Sequence, residues 1–234
     1  MIKRVLLIFV VFQLSACAEL QQVVNQLPSG GGITNDQIGG GLKEALNKGI
    51  TNQVGKLALK DGFFKNDLVK ILLPDELKKV DNTLRKIGLS KLADEGLKVL
   101  NRAAEDAVSE ATPIFVDAIK GLTFADAKNI LLGDKNAATS YLKDKTSAAL
   151  YEKFSPVINN SFKKVGADKV WSNLITKYNN LPLTNNVNTD LTDYVTAEAL
   201  KGVYSMVEVE ENEIRTKVSS RTTNLLKKVF ALQD

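Results

Sequence analysis

Apolar residues recur every three or four positions along most of this chain, which is the spacing of one face of an α-helix. Between residues 34 and 59, for example, Ile38, Leu42, Ile50 and Val54 fall on the same side. The strict alternation that marks a β-strand never persists. The pattern therefore predicts an all-α fold, a helical bundle of about nine helices of ordinary length.

Capping side chains, prolines in a first turn and glycines after a last turn set the expected helix limits. Thr34 with Gln37 is typical of a capping box, and Thr123 with Asp126 predicts another helix start. The expected helices are 34–59, 74–88, 90–111, 112–121, 123–133, 134–154, 155–166, 168–180, 196–217 and 219–232. Thr112, Asp134, Ser155 and Asp168 are the caps expected within this series.

Three stretches recur in the same order. Residues 80–92 resemble 158–170, residues 116–122 resemble 197–203, and residues 139–143 resemble 223–227. Shared helical composition is one explanation; an internal duplication is the other. Duplication predicts two similar halves, 74–154 and 156–232, packed face to face in one core, with 34–59 as an added helix. A ligand groove would then lie along their two-fold axis, although a filled core is the plainer outcome.

The duplication also makes a prediction about glycines. Equivalent glycines should stop equivalent helices, because glycine enters the left-handed conformation at little cost. The pairs are Gly88 with Gly166 and Gly121 with Gly202.

The first residues have the layout of a secretory signal peptide. Lys3 and Arg4 precede a short apolar run, and Leu14-Ser15-Ala16-Cys17 follows, which resembles a bacterial lipobox. We therefore expect residues 1–16 to be a signal peptide and Cys17 to be lipidated; the alternative is a buried or free thiol. Ala18 stands where lipoproteins retained in the inner membrane typically carry aspartate, so the resemblance favours the outer membrane. We expect the domain to face the periplasm; the alternative is exposure at the cell surface. Residues 17–33 are polar and glycine-rich, so they predict a flexible tether with a reach of roughly 20 Å, and 34–234 would form the folded domain.

Composition excludes several classes of chemistry. The chain has no histidine and one cysteine, so histidine zinc sites, cysteine nucleophiles and serine-histidine-acid triads are ruled out. Carboxylates, lysine, tyrosine and serine remain. The 31 basic residues are scattered among 27 acidic ones, so no nucleic-acid-binding surface is predicted. Aromatic residues make up only 6% of the chain, so the core should be aliphatic.

Four groups of residues are candidates for a special role. In each case the less specific interpretation is favoured. A solvated charged face is expected for Glu95, Lys98, Arg102, Glu105 and Asp106, and an exposed acidic face, in preference to a divalent-cation site, for Glu208, Glu210, Glu211 and Glu213. A helix cap is favoured over an anion site for Arg221-Thr222-Thr223, and for Phe63-Phe64 a role in pinning a connector is favoured over a partner patch. No cofactor or metal site is predicted.

Several runs resemble a bacterial family of proteins of unknown function, DUF4197. They are the lipobox and residues 100–105, 113–115, 137–139, 178–179, 194–196 and 221–230, and the resemblance spans about 34–230. Lys201 departs from the acid expected there. The resemblance implies an envelope protein but no activity. Our leading hypothesis is a lipid-anchored, non-enzymatic domain that contacts an envelope protein or binds an apolar ligand between its helices. The alternative is a carboxylate-dependent hydrolase of cell-wall material.

Overall fold

A computed structural model describes residues 33–86, 88, 90–169, 172, 176 and 190–234. Among these residues there are α-helices and short 3-10 helices but no strand, so the all-α prediction is confirmed. Two 3-10 helices, Val218–Ser220 and Ala231–Gln233, flank the last α-helix. The α-helices are α1 (Asn35–Leu57), α2 (Asp75–Lys86), α3 (Ser90–Val108), α4 (Ala111–Lys120), α5 (Phe124–Leu132), α6 (Ala137–Lys164), α7 (Leu191–Thr216) and α8 (Asn224–Phe230).

Local signals fixed many helix ends. The side chain of Thr123 accepts from the Asp126 backbone N–H while the Asp126 carboxylate accepts from the Thr123 N–H, so the predicted capping box is present. Gly88 and Gly166 follow α2 and α6 with φ of 84° and 66°, in the left-handed region as predicted. A residue with a Cβ would be strained at both positions.

The predicted helix start at Ser155-Pro156 is wrong, because α6 runs through Pro156 without interruption. A proline inside a helix costs about 3 kcal/mol through a lost hydrogen bond and a clash. Here the ring is exposed, while Leu150, Phe154, Ile158 and Phe162 form one buried stripe on both sides of it. Burial of that stripe offsets the cost. The boundary expected between two halves therefore falls inside one helix.

The prediction is half right for Gly121 and wrong for Gly202. Gly121 ends α4 as predicted, but its φ of −71° is one that any residue adopts, so it is not left-handed. Gly202 lies in the middle of α7, where a Cβ would come within 2.8 Å of the Phe63 ring and 3.2 Å of the Val69 Cβ. The close approach of the segment between α1 and α2, and not backbone freedom, requires this glycine. The relation between two halves stays a prediction.

Other boundaries differ from expectation by a few residues. Asp190 caps α7, which starts five residues earlier than expected, and α4 starts at Ala111, just before Thr112. Asn136, not Asp134, precedes α6. Helical residues resume at Ala167, so Asp168 lies inside a helix instead of capping it. The helix expected at 219–232 is broken, and only α8 is α-helical. Most of 168–180, the loop at Pro182 and residues 1–32 lie outside the described residues.

The core lies within one compact unit, Asp36–Asp234. At its centre α6 packs against α3 on one side and α7 on another. Aliphatic side chains dominate it, with Phe63, Phe115 and Phe154 fully buried. At the edge, Gly41 of α1 comes close to Val229 of α8, and Lys228 donates to Gln37 over 3.2 Å. Among the described helices, none combines the length and apolarity that a membrane span requires.

Candidate functional site

Helices α6 and α7 are antiparallel neighbours joined by polar contacts at three levels. Near the start of α6, the Thr139 hydroxyl donates to the Glu211 carboxylate over 2.8 Å. Halfway along, the hydroxyls of Thr146 and Tyr204 are 2.7 Å apart. Further on, Tyr151 donates to Asp193 over 2.5 Å. These contacts fix the register of the two helices and hold their outer edges apart.

A groove of about 510 Å³ runs over this contact line, and we call it the α6–α7 groove. Its volume lies within the range of about 300–1,000 Å³ that is usual for ligand sites. Each wall is one helical face with residues three or four apart. One wall comprises Asn136, Thr139, Ser140, Lys143, Ser147 and Tyr151. The other comprises Ala197, Leu200, Lys201, Tyr204, Ser205 and Glu208.

Tyr204, which lines the groove, belongs to a chain of hydroxyl groups. Thr146 donates its only hydroxyl proton to the Leu142 carbonyl over 2.6 Å, so Tyr204 must donate to the Thr146 oxygen. Burial raises the pKa of the Tyr204 phenol, against the opposing effect of its hydroxyl neighbours Ser147 and Thr146. Tyr204 therefore stays neutral at physiological pH and acts as an oriented hydrogen-bonding group, not as a base.

The walls carry charges of both signs. The antiparallel register places Lys143 opposite Glu208, yet no ion pair joins them in the part of the chain that the structure describes. Lys201 lies 3.5 Å from Glu198 and is well exposed, so screening by water leaves that pair weak. A ligand in the groove would therefore meet an ammonium group, a carboxylate and a row of hydroxyls.

Comparison with known proteins assigns the chain to a family. The family model described as "Protein of unknown function (DUF4197)" matches residues 32–231. The chain belongs to the DUF4197 family. Neither the curated proteins nor the solved structures give a match. The family resemblance over residues 34–230 is thus confirmed, and the match covers every described α-helix of this DUF4197 protein.

The acidic group on α7 of this DUF4197 protein does not form the exposed face that was favoured. Glu211 is buried, accepts from the N–H groups of Ala138 and Thr139, and pairs with Arg215 over 2.8 Å. The Glu211 carboxylate on α7 thus caps the N-terminus of α6, the helix end at which a negative charge is favourable. Of the other three, Glu208 lines the groove while Glu210 and Glu213 bind Gln53 and Lys217. Three of the four carboxylates bind separate partners, and the described residues contain no acidic cluster arranged to hold a metal ion, so the cation-site alternative gains no support.

The charged face on α3 is solvated only in part. Glu95 and Lys98 form an exposed pair at 3.0 Å, as expected. Glu105 is only 3% exposed, contrary to the prediction. Its Oε1 accepts from the backbone N–H groups of Phe63 and Phe64, and Arg102 pairs with its Oε2. This carboxylate therefore anchors the connector between α1 and α2.

Sequence reasoning missed Asn101, which is completely buried on α3. Its Oδ1 accepts from Ile71 N–H over 2.8 Å, and its Nδ2 donates to the Ile71 carbonyl over 2.9 Å. The side-chain amide thus satisfies both backbone groups of one connector residue. The signal was present in the sequence: an amide among Leu100, Ala103 and Ala104 on an apolar face.

The remaining candidates have structural roles. Phe63 is fully buried and pins the connector, as expected, and Thr223 caps α8 as expected. Arg221 is 2% exposed and binds both carboxylate oxygens of Asp234 as well as the Ile214 carbonyl. Its charge is already paired, so the anion-site alternative gains no support. Cys17, the predicted lipidation site, lies outside the described residues.

Proposed function

We propose that this DUF4197 protein is lipid-anchored through Cys17 at the outer membrane, facing the periplasm, and that its helical domain binds an extended polar segment of an envelope partner in the α6–α7 groove. The observation that carries the binding role is the groove itself, with its polar walls and its volume of about 510 Å³. The lipobox at residues 14–17 carries the anchor. The role is that of a binding module, not of an enzyme.

The size of the available spaces favours a polar ligand over an apolar one. The apolar recess between α1 and α7, lined by Leu42, Leu46 and Ile50, holds only about 30 Å³. That is the volume of about one water molecule, whereas a cavity that takes up benzene needs about 150 Å³. Of these two spaces, the α6–α7 groove is therefore the better supported ligand site.

The length and chemistry of the groove fit an extended chain. From Asn136 to Tyr151 the α6 wall rises by roughly 22 Å, at about 1.5 Å per residue. An extended peptide of about seven residues has that length. Its alternating N–H and C=O groups suit the hydroxyls of the walls, and side chains of either charge can meet Lys143 or Glu208. We therefore infer that the ligand is a peptide segment.

The hydrolase alternative loses two of its candidate carboxylates. Glu105 and Glu211 each accept two backbone N–H bonds and pair with an arginine, so both carboxylates are engaged in holding the fold. A general acid or base must instead lie within hydrogen-bonding reach of the substrate.

The binding role is tested by filling the groove. Ala197→Trp places an indole in one wall, and Ala149→Trp places the same side chain on an exposed part of α6 outside the groove. Both variants carry a photo-crosslinking residue at position 140. After crosslinking in vivo they are purified from the cell envelope, and the captured peptides are identified by mass spectrometry. Synthetic versions of these peptides are then titrated into each variant by calorimetry. We expect Ala197→Trp to weaken binding at least tenfold and Ala149→Trp to leave it unchanged; equal binding by both variants overturns the proposal.

The anchor is tested separately with Cys17→Ser. Serine cannot carry a thioether-linked lipid, so we expect the variant to leave the membrane fraction or to keep its signal peptide. Membrane fractionation and mass spectrometry of the N-terminus give the answer. A fully processed Cys17→Ser protein that stays on membranes would remove the anchor from the proposal.

A further inference from the structure

The connector between α1 and α2, residues 58–74, exposes three leucines. Leu59, Leu68 and Leu72 are 65%, 71% and 55% exposed. Exposure of one large apolar side chain needs no explanation, but three within one connector point to an interaction.

The connector is held rigidly, so these leucines cannot turn inward. Its inner side is filled by Phe63, Val69, Ile71 and Leu73, all buried. From residue 68 to 73 burial alternates, and this places Leu68 and Leu72 on the outer side.

Three contacts fix the backbone of the connector in this orientation, and a fourth holds one of its side chains. The Asn101 amide and the Glu105 carboxylate bind it from α3, the Tyr194 hydroxyl donates to the Leu72 carbonyl over 2.9 Å, and Arg102 pairs with Asp61. A buried scaffold therefore presents the exposed leucines.

The same connector carries three lysines. Lys60 is exposed, Lys65 is 72% exposed and pairs with Asp61 at 3.0 Å, and Lys70 lies over the Phe64 ring at 4.6 Å. Asp61 also pairs with Arg102 of α3, so a second basic residue balances its negative charge. Asp67 is the other acid of the connector. The outer surface thus combines apolar side chains with a small positive excess.

We propose that this connector is a membrane-contact surface: Leu59, Leu68 and Leu72 enter the interfacial layer of a bilayer with anionic headgroups, and the lysines lie against those headgroups. Apolar side chains that reach the acyl boundary and basic ones that remain at the surface are the combination that holds proteins on membranes. The surface would also fix which side of the domain faces the bilayer.

The test uses a fragment, residues 33–234, which contains the whole core from Leu42 to Phe230 but lacks Cys17. Its outcome is therefore independent of lipidation, and because the vesicles contain no peptide, the assay does not test the α6–α7 groove. Binding is measured by flotation with vesicles that contain 30% phosphatidylglycerol and with pure phosphatidylcholine vesicles. The test variant replaces Leu59, Leu68 and Leu72 with serine. The control variant replaces three equally exposed residues elsewhere, Leu132, Val165 and Val218, with serine.

We expect the fragment to float with anionic vesicles, less so with neutral ones or at high salt. The test variant should lose at least about tenfold in partitioning, because three apolar side chains no longer leave water. The control variant should bind like the wild type. Both variants are first checked for helical circular dichroism. No flotation of the wild type, or equal loss in both variants, overturns the proposal. So does concentration-dependent dimerisation that the test variant abolishes, since the leucines would then bind a second copy.

Discussion

Removal of the Glu211 carboxylate should destabilise the domain more than removal of any exposed acid on the same helix. Glu211 accepts from Ala138 N–H at 2.9 Å, from Thr139 N–H at 2.8 Å and from the Thr139 hydroxyl at 2.8 Å. It also pairs with Arg215, whose side chain is 8% exposed. Glu211→Ala leaves those donors and one buried positive charge without their acceptor.

The expected loss is about 3–5 kcal/mol of unfolding free energy, the usual cost of breaking a buried pair by removing one partner. Glu211→Gln keeps an acceptor oxygen but turns an amide N–H toward Arg215, so we expect roughly 1–3 kcal/mol. Glu213→Ala is the matched control. It removes a pair with Lys217 in which the side chains are 39% and 57% exposed, and it should cost less than about 1 kcal/mol.

Urea unfolding followed by circular dichroism at 222 nm measures these losses, with the slope of the transition as a check that all variants unfold alike. Adding Arg215→Met to Glu211→Ala should recover part of the stability, because the uncompensated charge is then gone. The reasoning fails if Glu211→Ala costs no more than Glu213→Ala, or if the double variant is as unstable as the sum of both single ones.

Three further predictions concern packing, the connector and pH. Gly202→Ala should destabilise by about 1–3 kcal/mol through overpacking, while Gly55→Ala, with open space around it on α1, should stabilise by about 0.5–1 kcal/mol; thermal unfolding distinguishes the two signs. Asn101→Ala should speed amide hydrogen exchange in residues 58–74 more than elsewhere, because the clamp on that backbone is lost. The hydrogen bond from Arg221 lowers the pKa of the Asp234 carboxyl in the folded protein. The stability that this ion pair contributes is therefore complete above the ordinary aspartate pKa of about 4, and it is lost as pH falls through the lower pKa of the folded state. Asp234→Asn should therefore lose less stability than the wild type between pH 5 and pH 2 in urea titrations.

Features set by neighbouring residues could be predicted from the sequence. The capping box at Thr123, the cap at Thr223 and the left-handed glycines Gly88 and Gly166 depend on groups within about four residues, and all four are present. Helical periodicity likewise indicated the fold class.

Features set by remote contacts could not be predicted in this way. Glu211 caps a helix that begins 74 residues before it, and Asn101 clamps a residue 30 positions away. Their sequence neighbours give no sign of these partners. Pro156 looked like a helix start because a proline fits both an N-terminal turn and an exposed helical face; only the buried stripe on both sides distinguishes them.

The α6–α7 groove could be predicted only in part. Its residues stand three or four apart on α6 and α7, so each wall was visible in the sequence as a helical face. That these two faces lie side by side depends on the antiparallel packing of helices separated by more than 25 residues. A polar face on each helix could equally have faced water.

The contact of α1 with α8 means that the folded unit starts and finishes at one place. Gln37 and Lys228 are within hydrogen-bonding distance although 191 positions separate them. Chains with adjacent ends tolerate circular permutation. A permutant that opens at the exposed residues Asp134 and Lys135, with a short linker from 234 to 33, should keep the same core. In such a permutant α6 to α8 would be synthesised before α1 to α5. The order in which the two groups of helices emerge could therefore be exchanged without changing their packing partners.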